Sequence, residues 1–448
     1  MAQPATIAAR DQAARTPPSR NRVDRDMWNA AIRNRYKTVR SATSALAANF
    51  SAEDQMVQSC PEASPMKWHQ AHTTWFFETF VLRPFLRRYK PFREEFHWLF
   101  NSYYNSLGQE IPNKGPRSTF SRPSLDEVLA FRAHVDEEMD RLFARSVDEE
   151  ATRRIVLGLN HEQQHQELAL TDIKHAFFSN PLYAANFAAP VLEEEVRPVG
   201  GLSWHDCDGG LAEIGYSLQA EDPVDFCFDS ETPRHNVFLK AFRIANREVT
   251  CREYLEFISG DAYARPELWL SEGWENVKRS DWQAPLYWRW DAGDETGWRV
   301  FTLTGWQGLS VLLDTPVCHV SFFEADAFAR WKGCRLPTEA EWEYVASQTA
   351  VQGNLLESGR LDPKALRGEG IGQLFGDCWE WTASAYTGYP GYRPLPGALG
   401  EYNGKFMSGQ MILRGGSCVT PASHIRATYR NFFSPTTRWQ FAGIRLAA

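Results

Sequence analysis

The first part of the chain carries hydrophobic positions at helical spacing. Apolar residues recur every three to four positions over 126–143 and 155–178, where glycine is rare. Residues 75–86 are apolar on all sides, which predicts a buried helix. Four long helices fit the span of residues 26–185, so we expect a helical bundle there.

Serine residues followed by acids predict where two of these helices begin. Ser124 precedes Asp126 and Glu127, and Ser146 is followed by acids through Glu149. A serine can cap the first backbone amides, and acids favour the first helical turn.

A different pattern follows residue 181. Three glutamates at 193–195 and the sequence PVGG at 198–201 predict a linker and a turn, and a second domain at residues 196–448. Short apolar runs there are separated by Gly, Pro, Asp and Trp. They predict a strand over 237–244 and helices over 250–258, 322–331 and 338–346, the last opened by a capping box of Thr338 and Glu341. We therefore expect a two-domain α+β protein with a helical bundle first.

Composition narrows the class of protein. Of 448 residues, 43% are hydrophobic and 23% charged, and the net charge is −8, so the chain folds and is a poor nucleic-acid binder. No apolar run approaches the roughly 20 residues of a membrane span. The 17 Trp, 15 Tyr and 28 Phe suit pockets for cationic or planar small molecules. The eight cysteines form no CxxC pair, and residues 1–25 contain no secretory signal. We therefore expect a cytoplasmic protein with reduced thiols, and a disordered tail at residues 1–25.

The sharpest chemical signal is the sequence NHEQQHQE at residues 160–167, inside a helical pattern. His161 and His165 are four residues apart, so both imidazoles project from one helix face and can reach one ion. Glu167 lies about 200° around the helix from His165. It is either an acceptor behind the site or an ordinary buried acid.

A third ligand has to come from another element. His69 and His72 lie on another predicted helix, and either one could complete a set of three histidines for zinc or non-haem iron. The residues leave two other interpretations open. One is that the histidines are ordinary packed residues, and the other is a metalloprotease, because residues 161–165 match its HExxH pattern.

Two aromatic segments are candidates for substrate chemistry. Tyr103 and Tyr104 form a pair in which one phenol could donate a proton. Later in the chain Asn431, Phe432 and Phe433 stand near Arg438, a combination that could face a cationic aromatic ligand.

Several sequence strings together resemble a known enzyme family. The C-terminal half contains RLPTEAEWE, WEW, RGGS and GIRL, which resemble the formylglycine-generating (sulfatase-modifying-factor) fold, related to C-type lectins. The helical half resembles a DinB-like four-helix bundle. Over residues 30–448 the pairing resembles the ergothioneine-synthesising sulfoxide synthases. These are non-haem iron enzymes that join hercynine, trimethylhistidine, to a cysteine thiol with O2. This resemblance displaces the protease interpretation.

The resemblance also implies roles for individual residues. His72, His161 and His165 would hold Fe(II), with His72 rather than His69 at the family's position before Thr73. The set that would hold hercynine comprises Gln164, Asn431, Phe432 and Phe433. The pair Tyr103 and Tyr104 resembles the subgroup that uses free cysteine, with one tyrosine as the active-site acid.

Related activities stay open at this point. Selenoneine synthases share the architecture and take a selenosugar instead of cysteine, and no residue separates the two. A non-catalytic binding protein on a lectin-like fold is a third hypothesis. The cysteine pair of formylglycine-generating enzymes is not evident, because Cys418 stands alone after RGGS. We expect no methyltransferase domain of the kind appended in the ovothiol relatives. The sequence predicts small-molecule partners. It does not indicate an oligomeric state.

Overall fold

The computed structural model describes residues 22–102, 104–107, 117–145, 147–182, 187, 200–219 and 222–448. Within them the first part of the chain is a helical bundle, as predicted. Its long helices are α1 (Arg22–Ala47), α2 (Met66–Phe77), α5 (Leu125–Phe143) and α6 (Glu149–Phe178). A π-helical turn at Glu78–Leu82 continues α2 into α3 (Arg83–Phe85), and α4 (Phe96–Leu99) follows. None of the described helices is both long and apolar enough to cross a membrane.

Helix α2 is the central element of the bundle. It packs against α5 and α6, and every one of its residues is buried. The buried helix expected over 75–86 therefore begins earlier, at Met66. Its polar residues, including His69 and His72, are placed in the interior rather than on a solvated face.

The helix starts match the sequence at one position and differ at the other. Ser124 and Glu127 form the predicted capping box of α5. Helix α6 is instead capped by Asp148, whose carboxylate accepts the Ala151 amide proton at 2.7 Å. Ser146 lies outside the described residues. Asp caps as well as Ser does, so the composition of the segment did not separate them.

The C-terminal part is built on small sheets. The strand bounds are Trp204–Cys207 (β1), Gly210–Ile214 (β2), His235–Leu239 (β3), Phe242–Ala245 (β4), Trp288–Trp290 (β5), Trp298–Thr302 (β6), Gly305–Gly308 (β7), Trp379–Ala385 (β8), Met411–Arg414 (β9), Asn431–Phe433 (β10) and Ala442–Gly443 (β11). The largest sheet described has the order β10–β9–β8–β11, in which only β11 runs parallel to its neighbour. Strands β1 and β4 form one pair, β2 and β3 another, and β5–β6–β7 a three-stranded sheet.

One predicted strand is in fact two. The run over 237–244 is divided between β3, which pairs with β2, and β4, which pairs with β1. Lys240 at the bend is polar and so continues the alternation of the strand. The sequence pattern therefore did not reveal the break.

The helices predicted in this half are confirmed. They are α7 (Cys251–Ser259), α9 (Phe322–Trp331) and α10 (Glu339–Ala346), and α8 (Ser271–Ser280) lies between the first two. Thr338 and Glu341 form the expected capping box of α10. Buried side chains of both halves, such as Phe76 and Trp379, belong to one continuous apolar cluster.

Candidate metal centre

Three histidines from two helices converge inside the bundle. His72 comes from α2, and His161 and His165 come from α6, where their i,i+4 spacing places both rings on one face. One nitrogen of each imidazole lies within 4.8 Å of the others. His72 and His161 are fully buried and His165 is half-buried. The structure thus brings the predicted set together.

The free nitrogens of this set fit a metal ion. His72 Nδ1 donates to the Phe100 carbonyl at 2.6 Å, which leaves the Nε2 lone pair free. That Nε2 and both nitrogens of His161 are buried without a hydrogen-bond partner among the described residues. Buried polar atoms rarely stay unsatisfied, because each one costs about 1–3 kcal/mol. An ion bound by three imidazoles would satisfy His72 Nε2 and one of the two nitrogens of His161.

Burial also keeps these imidazoles in the form that binds metals. It lowers the pKa of His161 to about 3 and the pKa values of His72 and His165 well below the usual range, helped by the neighbouring rings. At neutral pH all three are therefore neutral. A histidine has to be neutral to bind a metal, and these three already are, so metal binding at that pH requires no loss of a proton from them.

Glu162, the acid of the HExxH pattern, is not available as a general base. Its carboxylate accepts from Arg132 at 2.6 Å, Arg40 at 3.0 Å and Thr43 at 2.7 Å, on the face of α6 turned to α1 and α5. Burial alone would raise its pKa, but the two guanidinium groups outweigh this effect and lower the pKa to about 2. Glu162 is therefore not free to act as the general base that the metalloprotease interpretation requires.

His69 lies beside the set rather than in it. Its Nδ1 is 2.8 Å from Nδ1 of His165, and its Nε2 is 3.1 Å from a carboxylate oxygen of Asp172. Both of its nitrogens therefore already have partners. His72 is the α2 histidine that converges with His161 and His165.

An arginine that the sequence analysis missed is placed near the site. The Arg117 guanidinium carbon lies 3.5 Å above the Trp68 ring, and Trp68 is stacked on His72 at 4.4 Å. Arg117 is buried and donates to Ser64 and Ser102, and no described carboxylate pairs with it. Burial lowers its pKa to about 10. Arg117 lies in a short 3-10 turn without periodicity, so no sequence pattern pointed to it.

The tyrosine pair is described in part. Tyr104 is fully buried, with its ring 5.5 Å from Trp75 and 5.1 Å from Phe80. Trp75 stacks on His72 at 5.4 Å, so Tyr104 is one aromatic ring away from the histidines. Tyr103 lies outside the described residues.

A loop of the C-terminal half closes over this region. The carboxylate of Glu401 accepts the backbone amides of Asn105 at 3.0 Å and Ser106 at 2.9 Å. The ring of its neighbour, Tyr402, makes an edge contact with His161 at 5.6 Å. The sequence analysis missed Tyr402, because nothing in the local pattern links this loop to residues nearly 300 positions earlier.

Helix α6 turns another face to the C-terminal half. Gln164 donates to the Tyr429 hydroxyl at 2.5 Å, and His424 lies 3.1 Å from the same oxygen. The Gln164 carbonyl oxygen is buried without a partner among the described residues. Strand β10 begins two residues after Tyr429, so this bond brings the predicted substrate strand to the helix that carries His161 and His165.

The predicted substrate residues of β10 do not share one face. Successive strand residues point to opposite sides, so Asn431 and Phe433 lie on one face and Phe432 on the other. Phe432 is stacked on Tyr386 at 4.1 Å. Arg438 is buried elsewhere in this half, where it donates to both carboxylate oxygens of Glu324, at 2.8 and 3.0 Å. The positive charge of Arg438 is therefore already paired within the protein.

Comparison with known proteins agrees with this architecture. Residues 35–175 match the DinB superfamily, and residues 206–370 and 364–448 match the sulfatase-modifying factor enzyme 1-like domain. A protein named hercynine oxygenase from Mycobacterium tuberculosis is 32% identical over 313 residues, 64% of this chain and 70% of its own length. Its namesake from Mycolicibacterium smegmatis is 31% identical, over 66% of this chain and 71% of the relative. Ergothioneine biosynthesis protein 1 of Schizosaccharomyces pombe is 27% identical, over 51% of this chain and 29% of the relative.

Proposed function

This chain belongs to the hercynine oxygenase family, and from that premise we propose that it is an iron(II)- and O2-dependent sulfoxide synthase of ergothioneine biosynthesis. The reaction joins C2 of the hercynine imidazole to the sulfur of cysteine and gives hercynylcysteine sulfoxide. One oxygen atom of O2 becomes the sulfoxide oxygen. The other leaves as water with the hydrogens of the thiol and of C2.

The observation that carries this proposal is the convergence of three imidazoles, of His72, His161 and His165, in which nitrogens of His72 and His161 are buried without a partner among the described residues. Fe(II) held by these three residues would leave coordination positions for a thiolate and O2 and would supply the redox chemistry. The protein supplies the arrangement around it. Holding both substrates together removes much of the entropic cost of their meeting.

The hercynine side of the site is assigned to the boundary between the two halves. Gln164 offers a buried, unpaired carbonyl oxygen, and Asn431 and Phe433 share one face of β10. Hercynine carries a trimethylammonium group that cannot donate a hydrogen bond. An aromatic face attracts such a cation by about 0.5–2 kcal/mol.

The donor side is assigned to the bundle. A guanidinium has five N–H donors, and Arg117 donates to just two described hydroxyls, of Ser64 and Ser102. It can therefore take the carboxylate of cysteine in a bidentate manner. A selenosugar has no carboxylate to offer, so Arg117 favours the cysteine-using activity over a selenoneine synthase.

Tyr103 or Tyr104 is proposed as the acid of the reaction. Tyr104 is buried against Trp75, next to the histidines, where a phenol is shielded from water. A proton delivered there would favour sulfoxide formation over oxidation of the thiol alone to a sulfinic acid.

We also assign residues 26–185 to a metal-binding domain and residues 196–448 to a domain that binds hercynine. We place the reaction in the cytoplasm, where thiols stay reduced.

A product assay tests this function. The protein is loaded with Fe(II) and incubated with hercynine, O2 and an equimolar mixture of cysteine and a selenosugar, and the products are identified by mass spectrometry. Hercynylcysteine sulfoxide is the expected product, and it should be missing from metal-free and O2-free samples. A selenium-linked product alone, or no coupled product, would contradict the proposal.

A further inference from the structure

A chain of buried polar groups lies behind one of the three histidines. His165 Nδ1 is 2.8 Å from His69 Nδ1, and His69 Nε2 is 3.1 Å from Asp172 Oδ2. The same Asp172 oxygen accepts the Ser64 backbone amide at 2.8 Å. His69 is 3% exposed and Asp172 7%, so water does not compete for these bonds.

The protons are assigned from the chemistry of these groups. A carboxylate can only accept, so we assign the ring hydrogen of His69 to Nε2, which donates to Asp172. Nδ1 of His69 then accepts a hydrogen from Nδ1 of His165. His165 in turn is left with a lone pair on Nε2. Asp172 thereby determines which nitrogen of His165 is free to bind a metal.

We propose that His69 and Asp172 are positioning residues that set the tautomer and the ring orientation of His165 and so strengthen metal binding at the three histidines. This inference rests on the proposed metal centre. It assigns a role to His69, which spacing alone could not separate from His72. Partners of this kind behind a metal-bound histidine typically change metal affinity by about 10–100-fold.

Titration of the metal-free, full-length protein with Co(II), followed by visible absorption, tests the proposal. Asp172→Ala and His69→Ala should each weaken Co(II) binding by about 10–100-fold. Because Asp172 acts through His69, the double variant should bind no more weakly than the weaker single variant. Asp172→Asn keeps an accepting oxygen for His69 and should lose less affinity than Asp172→Ala, with the native fold retained.

His175→Gln is the matched control, because His175 lies on the same helix and bonds to Ser59 at 2.6 Å rather than to the three histidines. Its Co(II) affinity should equal that of the wild type. Native affinity in both alanine variants, or additive losses in the double variant, would overturn the positioning role of His69 and Asp172 and leave the metal centre intact. A wild-type protein that binds no Co(II) would overturn both.

Discussion

At the scale of single residues, most of the site's chemistry follows from burial of polar groups. The free nitrogens of His72 and His161 are neutral because burial penalises the charged form. Glu162 remains ionised because Arg40 and Arg132 face it. Helical spacing indicated a histidine set but did not separate His69 from His72, which lie about 60° apart on one helix, and the family resemblance alone favoured His72. The choice depends on Asp172, about 100 residues later.

Arg117 leads to a prediction about donor recognition. In Arg117→Gln, the KM for cysteine should rise by at least about tenfold, because a buried charged contact to a carboxylate is worth roughly 2–5 kcal/mol. Cysteamine lacks that carboxylate, and its KM should change little. Steady-state kinetics with both thiols measures the difference. Arg141→Gln, which alters an exposed ion pair with Glu138, is the control. An equal change for both thiols would argue against the assignment.

Asp377, a buried acid just before β8 that accepts a hydrogen bond from Asn354, leads to a prediction about pH. Burial raises its pKa from 3.8 to about 6, so the folded protein holds this proton more tightly than the unfolded chain. The group's contribution to stability is therefore greatest below about pH 4 and falls as the pH rises to about 6, by roughly 3 kcal/mol. Asp377→Asn cannot ionise. Denaturant unfolding of both proteins between pH 4 and 7 should show the wild type losing stability relative to the variant, and parallel pH profiles would contradict this.

At the scale of elements, helix α6 carries most of the functional organisation. One face presents His161 and His165, and a second presents Glu162 to α1 and α5. A third face, with Gln164 and Glu167, meets the C-terminal half. The i,i+4 spacing made the first face predictable from sequence. The roles of the others depend on partners far along the chain, so periodicity could not reveal them.

Glu167 leads to a prediction about how α6 docks on the C-terminal half. Its carboxylate accepts from Trp379 at 2.5 Å, Ser417 at 3.0 Å and Thr420 at 2.7 Å, all in the C-terminal half, so of the two roles expected for it these bonds favour that of an ordinary buried acid. Glu167→Gln replaces one accepting oxygen by a donor. The variant should lose about 1–3 kcal/mol of unfolding free energy and bind hercynine more weakly, with metal affinity less affected.

Chemical unfolding and calorimetric titration with hercynine measure these effects. Glu150→Gln on the same helix, where an exposed ion pair with Arg154 contributes little, is the control. Native stability and native hercynine affinity in Glu167→Gln would mean that these three bonds do not hold the two halves together.

At the scale of the whole molecule, the fold was largely predictable and the loops were not. Helical periodicity indicated the bundle, and the change of pattern after residue 181 indicated the second part. Arg117 and Tyr402 escaped notice because each lies in a short 3-10 segment or beside one, where no spacing rule applies. The two parts meet through side chains of α6 and through the loop of Glu401, so the proposed hercynine site at their boundary is a product of the assembled molecule.

The proposed hercynine site leads to a prediction about substrate selectivity. Since Phe432 and Phe433 point to opposite faces of β10, one of them and not both should contribute to hercynine recognition. Phe433 shares its face with Asn431, whereas Phe432 is stacked on Tyr386. Phe433→Leu should therefore reduce the preference for hercynine over histidine, by about two- to thirtyfold if one cation–π contact is lost. Phe432→Leu is the matched comparison, and competition assays in which neither variant shifts the preference would contradict this assignment.

The most direct test of the whole account is the iron content of the purified protein. After anaerobic loading with Fe(II) and removal of unbound metal, we expect about one iron per chain in the wild type. His72→Ala, His161→Ala and His165→Ala should each retain the native circular dichroism spectrum and lose most of that iron, because a bidentate histidine set binds far more weakly than a set of three. Full iron occupancy in any of the three variants, or a wild-type protein that retains no iron, would contradict the proposed metal centre.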